Sequence, residues 1–192
     1  MKIIAGRLKS ANIISRKLSY KISYRPTESI VREAIFNILC LHFSYLFDKD
    51  NQCSVADICS GSGSLAFEAI SRGIYSATLV EMNKVLVNAN SIFIKKYNIL
   101  DRIKLLNKNA LFLEKAEKAH DLIFIDPPYN TLLLDEIFFS LKKKQWINEK
   151  SVIVCQCSVL YDMEKISSIC DFTFQKVYKK TKVVFVKLNH TF

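Results

Sequence analysis

The sequence predicts an α/β fold in which helices cover both faces of a central, mostly parallel, seven-stranded sheet. From about residue 53 onward, short β-branched runs alternate with segments of helical periodicity. Strands that alternate with helices in this way pair in parallel and are joined by right-handed crossovers. The run 122–125 is also wholly apolar, which is typical of a parallel strand buried on both faces.

Local patterns define each element. Leu65, Ala69 and Ile70 lie on one face of the predicted helix 64–72, and Gly73 marks its end. The predicted strands are 53–58, 77–80, 102–106, 122–125, 152–155, 172–177 and 183–188. The other predicted helices of this region are 84–97 and 132–144. Because a short Lys-rich turn joins the last two strands, we expect this pair to be antiparallel.

The first 52 residues differ from the rest of the chain. Residues 2–24 contain no acidic residue and have a β-rich composition. Thr27 is the predicted N-cap of a helix over 27–47, in which apolar residues recur at helical spacing. We therefore expect residues 1–52 to form a small basic extension with a docking helix, and residues 53–192 to form the main domain.

The chain is strongly basic. Its 192 residues include 28 Lys and Arg against 18 Asp and Glu, which gives a net charge of +10. Within residues 1–32, eight basic residues accompany a single acidic residue, Glu28. Such a dense cationic segment favours binding to a polyanion, most often nucleic acid. The predicted RNA-binding residues in this cluster are Arg7, Lys9, Arg16, Lys17, Arg25 and Arg32.

Composition also bears on the cellular compartment. Half of the residues are hydrophobic, which excludes a disordered chain. No run approaches the ~18 consecutive apolar residues of a membrane span, and the N-terminal apolar run is too short for a signal peptide. The six cysteines form no C-x-x-C pair, so we expect buried thiols in a reducing compartment rather than metal ligands. The expectation is a cytoplasmic, metal-free monomer with no membrane contact.

A glycine-rich turn marks the first candidate site. Only four glycines occur in the chain, and two of them, Gly61 and Gly63, directly follow the first predicted strand. A Gly-x-Gly turn between a strand and a helix lets the backbone approach a ligand where a Cβ atom would collide. Glu81 ends the second predicted strand, where a carboxylate can accept hydrogen bonds from both ribose hydroxyls of an adenosine. With Ala66, the glycines also match a dinucleotide pattern, so NAD remains an alternative, as does a tight turn without a ligand.

Asp57 favours a cationic ligand. It lies four residues before Gly61, at the end of the first predicted strand and inside the predicted crevice. A carboxylate there would repel the pyrophosphate of a nicotinamide dinucleotide but attract the sulfonium and ammonium groups of S-adenosylmethionine. The sequence therefore favours S-adenosylmethionine over NAD. The alternative role for Asp57 is to cap the turn.

The most specific motif is Asp126-Pro127-Pro128-Tyr129, directly after the wholly apolar strand. In open α/β sheets, ligands bind at the carboxyl ends of the strands, so we expect this loop and the Gly61 loop to face one cavity. The two prolines restrict the backbone and donate no N–H. The Asp126 carboxylate and the Pro127 carbonyl should therefore act as rigid acceptors, with Tyr129 as an aromatic surface beside them.

This motif suits methylation of an exocyclic amine of a nucleobase. The lone pair of such an amine is delocalised into the ring, which makes the nitrogen a poor nucleophile. Two acceptors that bind its hydrogens would favour a pyramidal nitrogen and direct the lone pair toward an electrophile. Stacking on Tyr129 would contribute about 1–3 kcal/mol to base binding. The sequence thus predicts catalysis by placement and electrostatics, with Asp126, Pro127 and Tyr129 as the catalytic residues.

These motifs resemble those of the S-adenosylmethionine-dependent amino methyltransferases, which have a Rossmann-like class I methyltransferase fold. Ile3-Ile4-Ala5-Gly6 and the segment 25–39, which begins with Arg25-Pro26-Thr27, are similar to the RsmD-type 16S ribosomal RNA guanine-N2 methyltransferases. The resemblance covers essentially the whole chain. It implies methyl transfer from S-adenosylmethionine to N2 of one guanine, the counterpart of guanine 966. Its partner would be 16S rRNA or the assembling small ribosomal subunit.

The resemblance also implies two further cofactor contacts, Asn109 and Ala110, which should border the adenine ring. The predicted cofactor-binding residues are then Asp57, Gly61, Gly63, Glu81, Asn109, Ala110 and Asp126. Two positions depart from the family pattern: Cys59 replaces a frequent aromatic residue, and Lys179 replaces a glycine after Tyr178.

Two other functions remain open at this point. The Asp-Pro-Pro-Tyr motif also suits adenine-N6 methylation of DNA, and the preference for guanine rests on the resemblance alone. Against a DNA enzyme, the chain is short and has no separate target-recognition domain. The non-enzymatic alternative is an RNA-binding ribosome assembly factor with a vestigial cofactor pocket.

Overall fold

A computed structural model of the chain describes residues 1–13, 27–128, 134–167 and 170–189. The strands are β1 (Ser54–Ile58), β2 (Ser76–Val80), β3 (Ile103–Leu106), β4 (Leu122–Ile125), β5 (Val152–Ser158), β6 (Cys170–Tyr178) and β7 (Thr181–Leu188). The helices are α1 (Ser29–His42), α2 (Ser64–Arg72), α3 (Lys84–Lys96), α4 (Leu134–Lys143) and α5 (Glu164–Ser167). Short 3-10 helices occupy Ser44–Phe47, Lys49–Asn51, Leu100–Arg102 and Ala110–Phe112.

The sheet has seven strands in the order β3-β2-β1-β4-β5-β7-β6. Strands β1 to β5 are parallel to one another, whereas β7 is antiparallel to both β5 and β6. The predicted mostly parallel sheet and the antiparallel final pair are therefore confirmed. Because the chain runs outward from β1 to β3 and then returns to β4, the strand order reverses between β1 and β4. Such a reversal opens a crevice at the carboxyl ends of the strands.

Two hydrophobic cores lie on opposite faces of the sheet. Along β4, Phe124 packs in the core that also contains Phe36 of α1 and Phe67 of α2. The next residue, Ile125, packs in the second core, which contains Phe138 of α4. The prediction that this strand is buried on both faces is confirmed, and helices cover both faces of the sheet.

The N-terminal segment 1–13 is docked onto α2. The buried carboxylate of Glu68 accepts hydrogen bonds from the backbone N–H groups of Ile4 at 2.7 Å and Ala5 at 3.0 Å. Gly6 has φ +80, and a Cβ atom there would lie 1.9 Å from the carbonyl oxygen of Ser71. Within residues 1–13 the β structure is limited to one bridge, Lys2 to Asn12, so the β-rich prediction is wrong for this part of the extension.

Two predictions about α1 need correction. The helix begins at Ser29 with Glu28 as its N-cap residue, and no side chain caps it. The predicted N-cap, Thr27, instead donates its hydroxyl hydrogen to Asp126, 99 residues away in the chain. A tertiary hydrogen bond has therefore replaced the local cap. The predicted single helix over 27–47 is also interrupted, because α1 ends at His42 and a 3-10 turn follows.

All six cysteines are free, as predicted, but only four of them are buried. Cys40 is exposed, because it lies on the outer side of α1, and Cys59 is half-buried at the end of β1. The prediction of uniformly buried thiols is wrong at these two positions.

Candidate active site

The ends of β1, β2 and β4 bring the predicted acidic residues together. Ile58 is in register with Val80 on one side and with Ile125 on the other. The next residue of each strand is therefore at the same edge of the sheet: Cys59 after β1, Glu81 after β2 and Asp126 after β4. This register places the Gly61 loop beside the loop that begins at Asp126, as the sequence predicted.

The two loop glycines have different steric roles. Both adopt positive φ, +54 at Gly61 and +71 at Gly63, which β-carbon-bearing residues rarely adopt. A Cβ atom at Gly63 would lie 2.7 Å from the Phe67 ring and 2.8 Å from Leu79, so packing requires glycine there. At Gly61 a Cβ atom would meet nothing within 4 Å. The side of the loop at Gly61 thus offers room for a ligand.

Glu81 holds the Gly61 loop through its carboxylate. Oε2 accepts a hydrogen bond of 2.8 Å from the Gly61 N–H, and Oε1 accepts one of 2.7 Å from the Asn83 N–H. The Asn90 side chain on α3 donates from Nδ2 to the Gly61 carbonyl at 3.1 Å. The Gly61 peptide is thus fixed on both sides. An ionised carboxylate has about four acceptor sites, so Glu81 retains the capacity to accept from ligand hydroxyls.

Asp57 is buried, with 1% of its surface exposed. Its Oδ2 accepts a hydrogen bond of 3.1 Å from the N–H of Ala66, the third residue of α2. The capping role that the sequence left open is therefore present. Burial raises the pKa of Asp57 well above its ordinary value, the Ala66 hydrogen bond opposes this, and the charges of Asp126 and Glu81 add to the rise.

The thiol of Cys59 lies among these three carboxylates. Burial, and then the charges of Glu81, Asp126 and Asp57, raise the pKa of Cys59 to about 12. Three carboxylates and a half-buried thiol therefore share this cleft in a protein whose net charge is +10. In the part of the chain that the structure describes, no group of three or more His, Cys, Asp or Glu residues is arranged to hold a metal ion.

Asp126 is held at several points. Its backbone N–H donates to the carbonyl of Ile58 at 3.3 Å. Its carboxylate oxygen Oδ2 accepts from the Thr27 hydroxyl at 3.1 Å and from Nε2 of Gln156 at 3.0 Å. Pro127 is buried and Pro128 is exposed. Tyr129, the predicted stacking residue, lies outside the described residues.

The predicted adenine-bordering residues lie beyond β3, next to the end of β2. Asn109 caps the 3-10 turn Ala110–Phe112, since its Oδ1 accepts from the Leu111 N–H at 3.0 Å. Ala110 is buried. Asn107, which the sequence analysis missed, donates from Nδ2 to the carbonyls of Glu81 at 2.9 Å and Met82 at 3.0 Å. It thereby ties this turn to the end of β2.

The structure contradicts the prediction that Arg32 binds RNA. Its side chain is fully buried, 3.7 Å from the Glu68 carboxylate, and donates to the Lys2 carbonyl at 2.7 Å. Its spacing in α1 places it on the inner face, among Val31 and Ile35. The guanidinium therefore serves the docking of the N-terminal segment onto α2.

The other predicted RNA-binding residues divide into two groups. Arg7 and Lys9 are exposed, and the Arg7 N–H donates to the carbonyl of Ser71 near the C-terminal end of α2. Burial, and then the like charge of Arg7, lowers the pKa of Arg102, which directly precedes β3. Arg7 therefore lies toward the amino ends of the strands, away from Asp126. The remaining residues, Arg16, Lys17 and Arg25, lie outside the described residues.

The departure at Lys179 has a conformational explanation. Lys179 lies in the turn between β6 and β7 with φ +53, the left-handed region that glycine adopts most readily. Its Nζ is 3.8 Å from the Glu28 carboxylate at the start of α1. This chain thus retains the backbone turn expected of a glycine while carrying a lysine.

Comparison with known proteins identifies the family. The sequence model of the family described as Conserved hypothetical protein 95 matches residues 1–187. The chain belongs to this family, the RsmD-type methyltransferases. It is 34% identical to "Ribosomal RNA small subunit methyltransferase D" of Buchnera aphidicola subsp. Acyrthosiphon pisum, over 89% of this chain and 84% of that protein. It is 28% identical to the uncharacterized methylase RP545 of Rickettsia prowazekii, over 98% of both chains.

One solved structure has the same fold as this RsmD-type chain over its whole length. The yhhF protein of Escherichia coli, a provisionally assigned methyltransferase, superimposes with a TM-score of 0.84 at 24% identity. The superposition covers 100% of this chain and 99% of that chain. The fold is therefore the Rossmann-like class I methyltransferase fold, as the resemblance implied. Among the described residues, no helix is long and apolar enough to cross a membrane.

Proposed function

We propose that this methyltransferase transfers a methyl group from S-adenosylmethionine to the exocyclic N2 of one guanine in 16S rRNA, the counterpart of guanine 966, during maturation of the small ribosomal subunit. The observation that carries the proposal is the convergence of Asp57, Glu81 and Asp126 at the ends of β1, β2 and β4. Three carboxylates line the cleft, whereas the chain as a whole carries a net positive charge. Such a division suits an enzyme that takes a cationic methyl donor and a polyanionic substrate.

The residues of the cleft fit S-adenosylmethionine, which supplies a methyl group bonded to a positively charged sulfur. Glu81 would accept hydrogen bonds from the ribose hydroxyls while it continues to hold Gly61. Asp57 would face the positively charged end, and Gly61 leaves room for close approach. Asn109 and Ala110 would border the adenine ring. The raised pKa of Asp57 adds support, because burial and the neighbouring carboxylates of Asp126 and Glu81 disfavour its negative charge, and a bound cation would offset that penalty.

Asp126 would bind the guanine amine. Its carboxylate and the Pro127 carbonyl would each accept one N–H of the 2-amino group, which directs the nitrogen lone pair away from the ring. When the new N–C bond forms, the carbon–sulfur bond breaks and its electron pair stays on sulfur. The nitrogen would then release one proton, which Asp126 would accept. Tyr129 would stack on the base.

The substrate context follows from the relatives and the charge. Proteins of this family carry the name of a small-subunit ribosomal RNA methyltransferase, and the cations Arg7, Lys9, Arg16, Lys17 and Arg25 would bind phosphates of the RNA. We propose that the protein acts as a cytoplasmic monomer. In this proposal residues 1–52 form the RNA-facing unit and residues 53–192 the unit that binds the methyl donor.

The deciding experiment measures transfer of labelled methyl groups to free 16S rRNA and to under-methylated small subunits in parallel. The expected product is N2-methylguanine at a single site. Labelling of DNA adenine alone would contradict the RNA assignment. Asp126→Ala is expected to lose turnover while keeping RNA affinity, and Asp135→Ala, at the start of α4, serves as the control. A wild-type protein that binds RNA without any transfer would instead favour an assembly factor.

A further inference from the structure

Beyond the motif itself, two side chains meet at one oxygen of Asp126. Thr27 donates from Oγ1 to Oδ2 at 3.1 Å, and Gln156 donates from Nε2 to the same oxygen at 3.0 Å. The Gln156 amide also lies 3.5 Å from the Thr27 hydroxyl, so the three groups form a closed set of hydrogen bonds. Thr27 precedes α1, Gln156 is in β5, and Asp126 follows β4. The contact therefore joins three separate elements at the catalytic loop.

We propose that Thr27 and Gln156 are positioning residues, which fix the Asp126 carboxylate in the orientation that binds the substrate amine. This inference rests on the proposed function. The loop after β4 contains two prolines, which restrict the backbone but leave the Asp126 side-chain torsions unconstrained. Two donors on one oxygen remove that freedom. Positioning of this kind lowers the entropic cost of reaching a reactive geometry.

The chemistry of Gln156 supports a role specific to a carboxylate. Its side chain is only 2% exposed, in a strand whose neighbouring residues Cys155 and Cys157 are buried and weakly polar. A buried amide costs free energy unless it is hydrogen-bonded, so an apolar residue would suit this strand better if only packing mattered. The amide nitrogen must face Asp126, because the amide oxygen would repel a carboxylate oxygen. Gln156 is thus matched to an ionised partner.

Thr27 directly precedes an anchored helix. The ion pair between the next residue, Glu28, and Lys179 is exposed, with 3.8 Å between the charged groups, and contributes little. One turn further along α1, Arg32 is tied to Lys2 and to the buried Glu68. The hydroxyl that reaches Asp126 therefore extends from the start of a helix that Arg32 anchors. A donor with a fixed origin can set the orientation of its acceptor.

The test separates positioning from structural support. Thr27→Val and Gln156→Met each remove one hydrogen-bond donor with little change in volume. Thr27→Ser keeps the hydroxyl and serves as the rescue variant. Thr78→Val is the matched control, because it removes a buried hydroxyl in β2, away from the loop. With wild-type RNA substrate, the two donor-removing variants are expected to lower kcat about tenfold, which corresponds to the loss of one positioning hydrogen bond. The KM for the methyl donor should stay within about twofold. Thr27→Ser should restore most of kcat, and Thr78→Val should leave kcat unchanged.

Three results would overturn the inference. The first is an unchanged kcat in both donor-removing variants of an active enzyme. The second is an equal fall of kcat in Thr78→Val, and the third is a fall of kcat in Thr27→Val that Thr27→Ser does not rescue. Either of the last two would indicate a general loss of structure.

A second measurement does not depend on the substrate. The side-chain NH2 resonances of Gln156, observed by NMR in the full chain, should report a bond to a carboxylate and shift strongly in Asp126→Ala. If the wild-type protein transfers no methyl group to RNA, the proposed function fails, and this signal alone then decides whether Gln156 holds Asp126. Resonances that do not respond to Asp126→Ala would contradict the inference, whatever the activity.

Discussion

The carboxylate of Glu81 accepts a 2.8 Å hydrogen bond from the backbone N–H of Gly61, 20 residues earlier in the chain. The residue proposed to bind the ribose therefore also fixes the loop that would surround the rest of the methyl donor. On its other side, the Gly61 peptide is held by Asn90. Loop position and ligand binding thus depend on the same carboxylate.

Comparing a replacement of Glu81 with a replacement of Asn90 should separate the binding of the methyl donor from the fixing of the Gly61 loop. Glu81→Gln is expected to weaken methyl-donor binding about 10- to 100-fold, because a hydrogen bond to a charged group is worth ~1.5–3 kcal/mol. Asn90→Leu removes only the contact with the Gly61 carbonyl, and we expect a loss of about fivefold or less. Titration calorimetry of both variants measures the difference, with the exposed Glu117→Gln as the charge control. Equal losses in Glu81→Gln and Asn90→Leu would show that Glu81 acts through the loop alone.

The raised pKa of Asp57 leads to a pH dependence. Its pKa lies well above the ordinary value of 3.8, so the ionised form is disfavoured in the folded protein without ligand. A bound cation favours the ionised form, and binding should therefore release protons and weaken as pH falls through the raised pKa. Asp57→Asn should abolish this dependence while its amide oxygen still accepts from Ala66. Calorimetry in buffers of different ionisation enthalpy counts the released protons.

The same shift affects stability. The pKa of Asp57 is higher in the folded protein than in the unfolded chain. At pH values below the unfolded pKa, Asp57 is protonated in both states and its burial as a neutral group is not penalised. As pH rises through the folded pKa, the folded protein loses this stability relative to the unfolded chain. Asp57→Asn should therefore raise the melting temperature of the ligand-free protein at neutral pH and have less effect at pH values near 3.8. A lower melting temperature for this variant at neutral pH would contradict the assignment of desolvation as the main cause.

The Lys179 turn predicts a stabilising substitution. Lys179→Gly removes the cost of the left-handed conformation, ~1–2 kcal/mol for a residue with a Cβ atom, and adds some entropy to the unfolded chain. The ion pair with Glu28 is exposed and contributes little. The expected net gain in the free energy of unfolding is about 0.5–1 kcal/mol. Urea unfolding measures it, and Lys180→Gly, whose φ is not positive, should show a loss or no change.

The sequence was sufficient for elements whose signals are local. Helix α2 occupies Ser64–Arg72 as predicted, because apolar periodicity and a terminal Gly73 both specify it. Asp57, Glu81 and Asp126 meet as predicted, since each lies at or near the end of a parallel strand, and such ends share one edge of the sheet.

Residues whose roles depend on distant partners were not predictable in the same way. Threonine is a common N-cap residue, but the hydroxyl of Thr27 donates to Asp126. No local sequence pattern predicts this tertiary hydrogen bond. Arg32 lies in a basic stretch, and only the tertiary structure shows that it faces Glu68. Gln156 did leave a signal, because it is the only amide in an otherwise apolar run of β5, and such a residue requires a buried partner.

Replacing the buried Arg32 should lower stability without changing the salt dependence of RNA binding, and replacing the exposed Arg7 should do the opposite. Arg32→Ala leaves the Glu68 carboxylate with one fewer cationic neighbour in a fully buried site, and we expect a loss of about 3–5 kcal/mol in the free energy of unfolding. The exposed pair Arg7→Gln and Lys9→Gln should leave stability nearly unchanged. If both cations bind phosphates, the slope of log K against log salt for RNA binding should become shallower by about 1.4–1.8.

The corresponding measurements are urea unfolding and RNA binding over a salt series. Methyl transfer at saturating RNA should be little affected by the Arg7 and Lys9 changes, since these side chains lie toward the opposite edge of the sheet from Asp126. For Arg32→Ala, RNA binding is compared at a temperature where the variant remains folded, and there the salt slope should equal that of the wild type. A shallower slope in Arg32→Ala would mean that the Arg32 guanidinium of the wild type contacts RNA. An unchanged slope in the Arg7 and Lys9 variant would mean that the phosphate contacts are made by other residues of the chain.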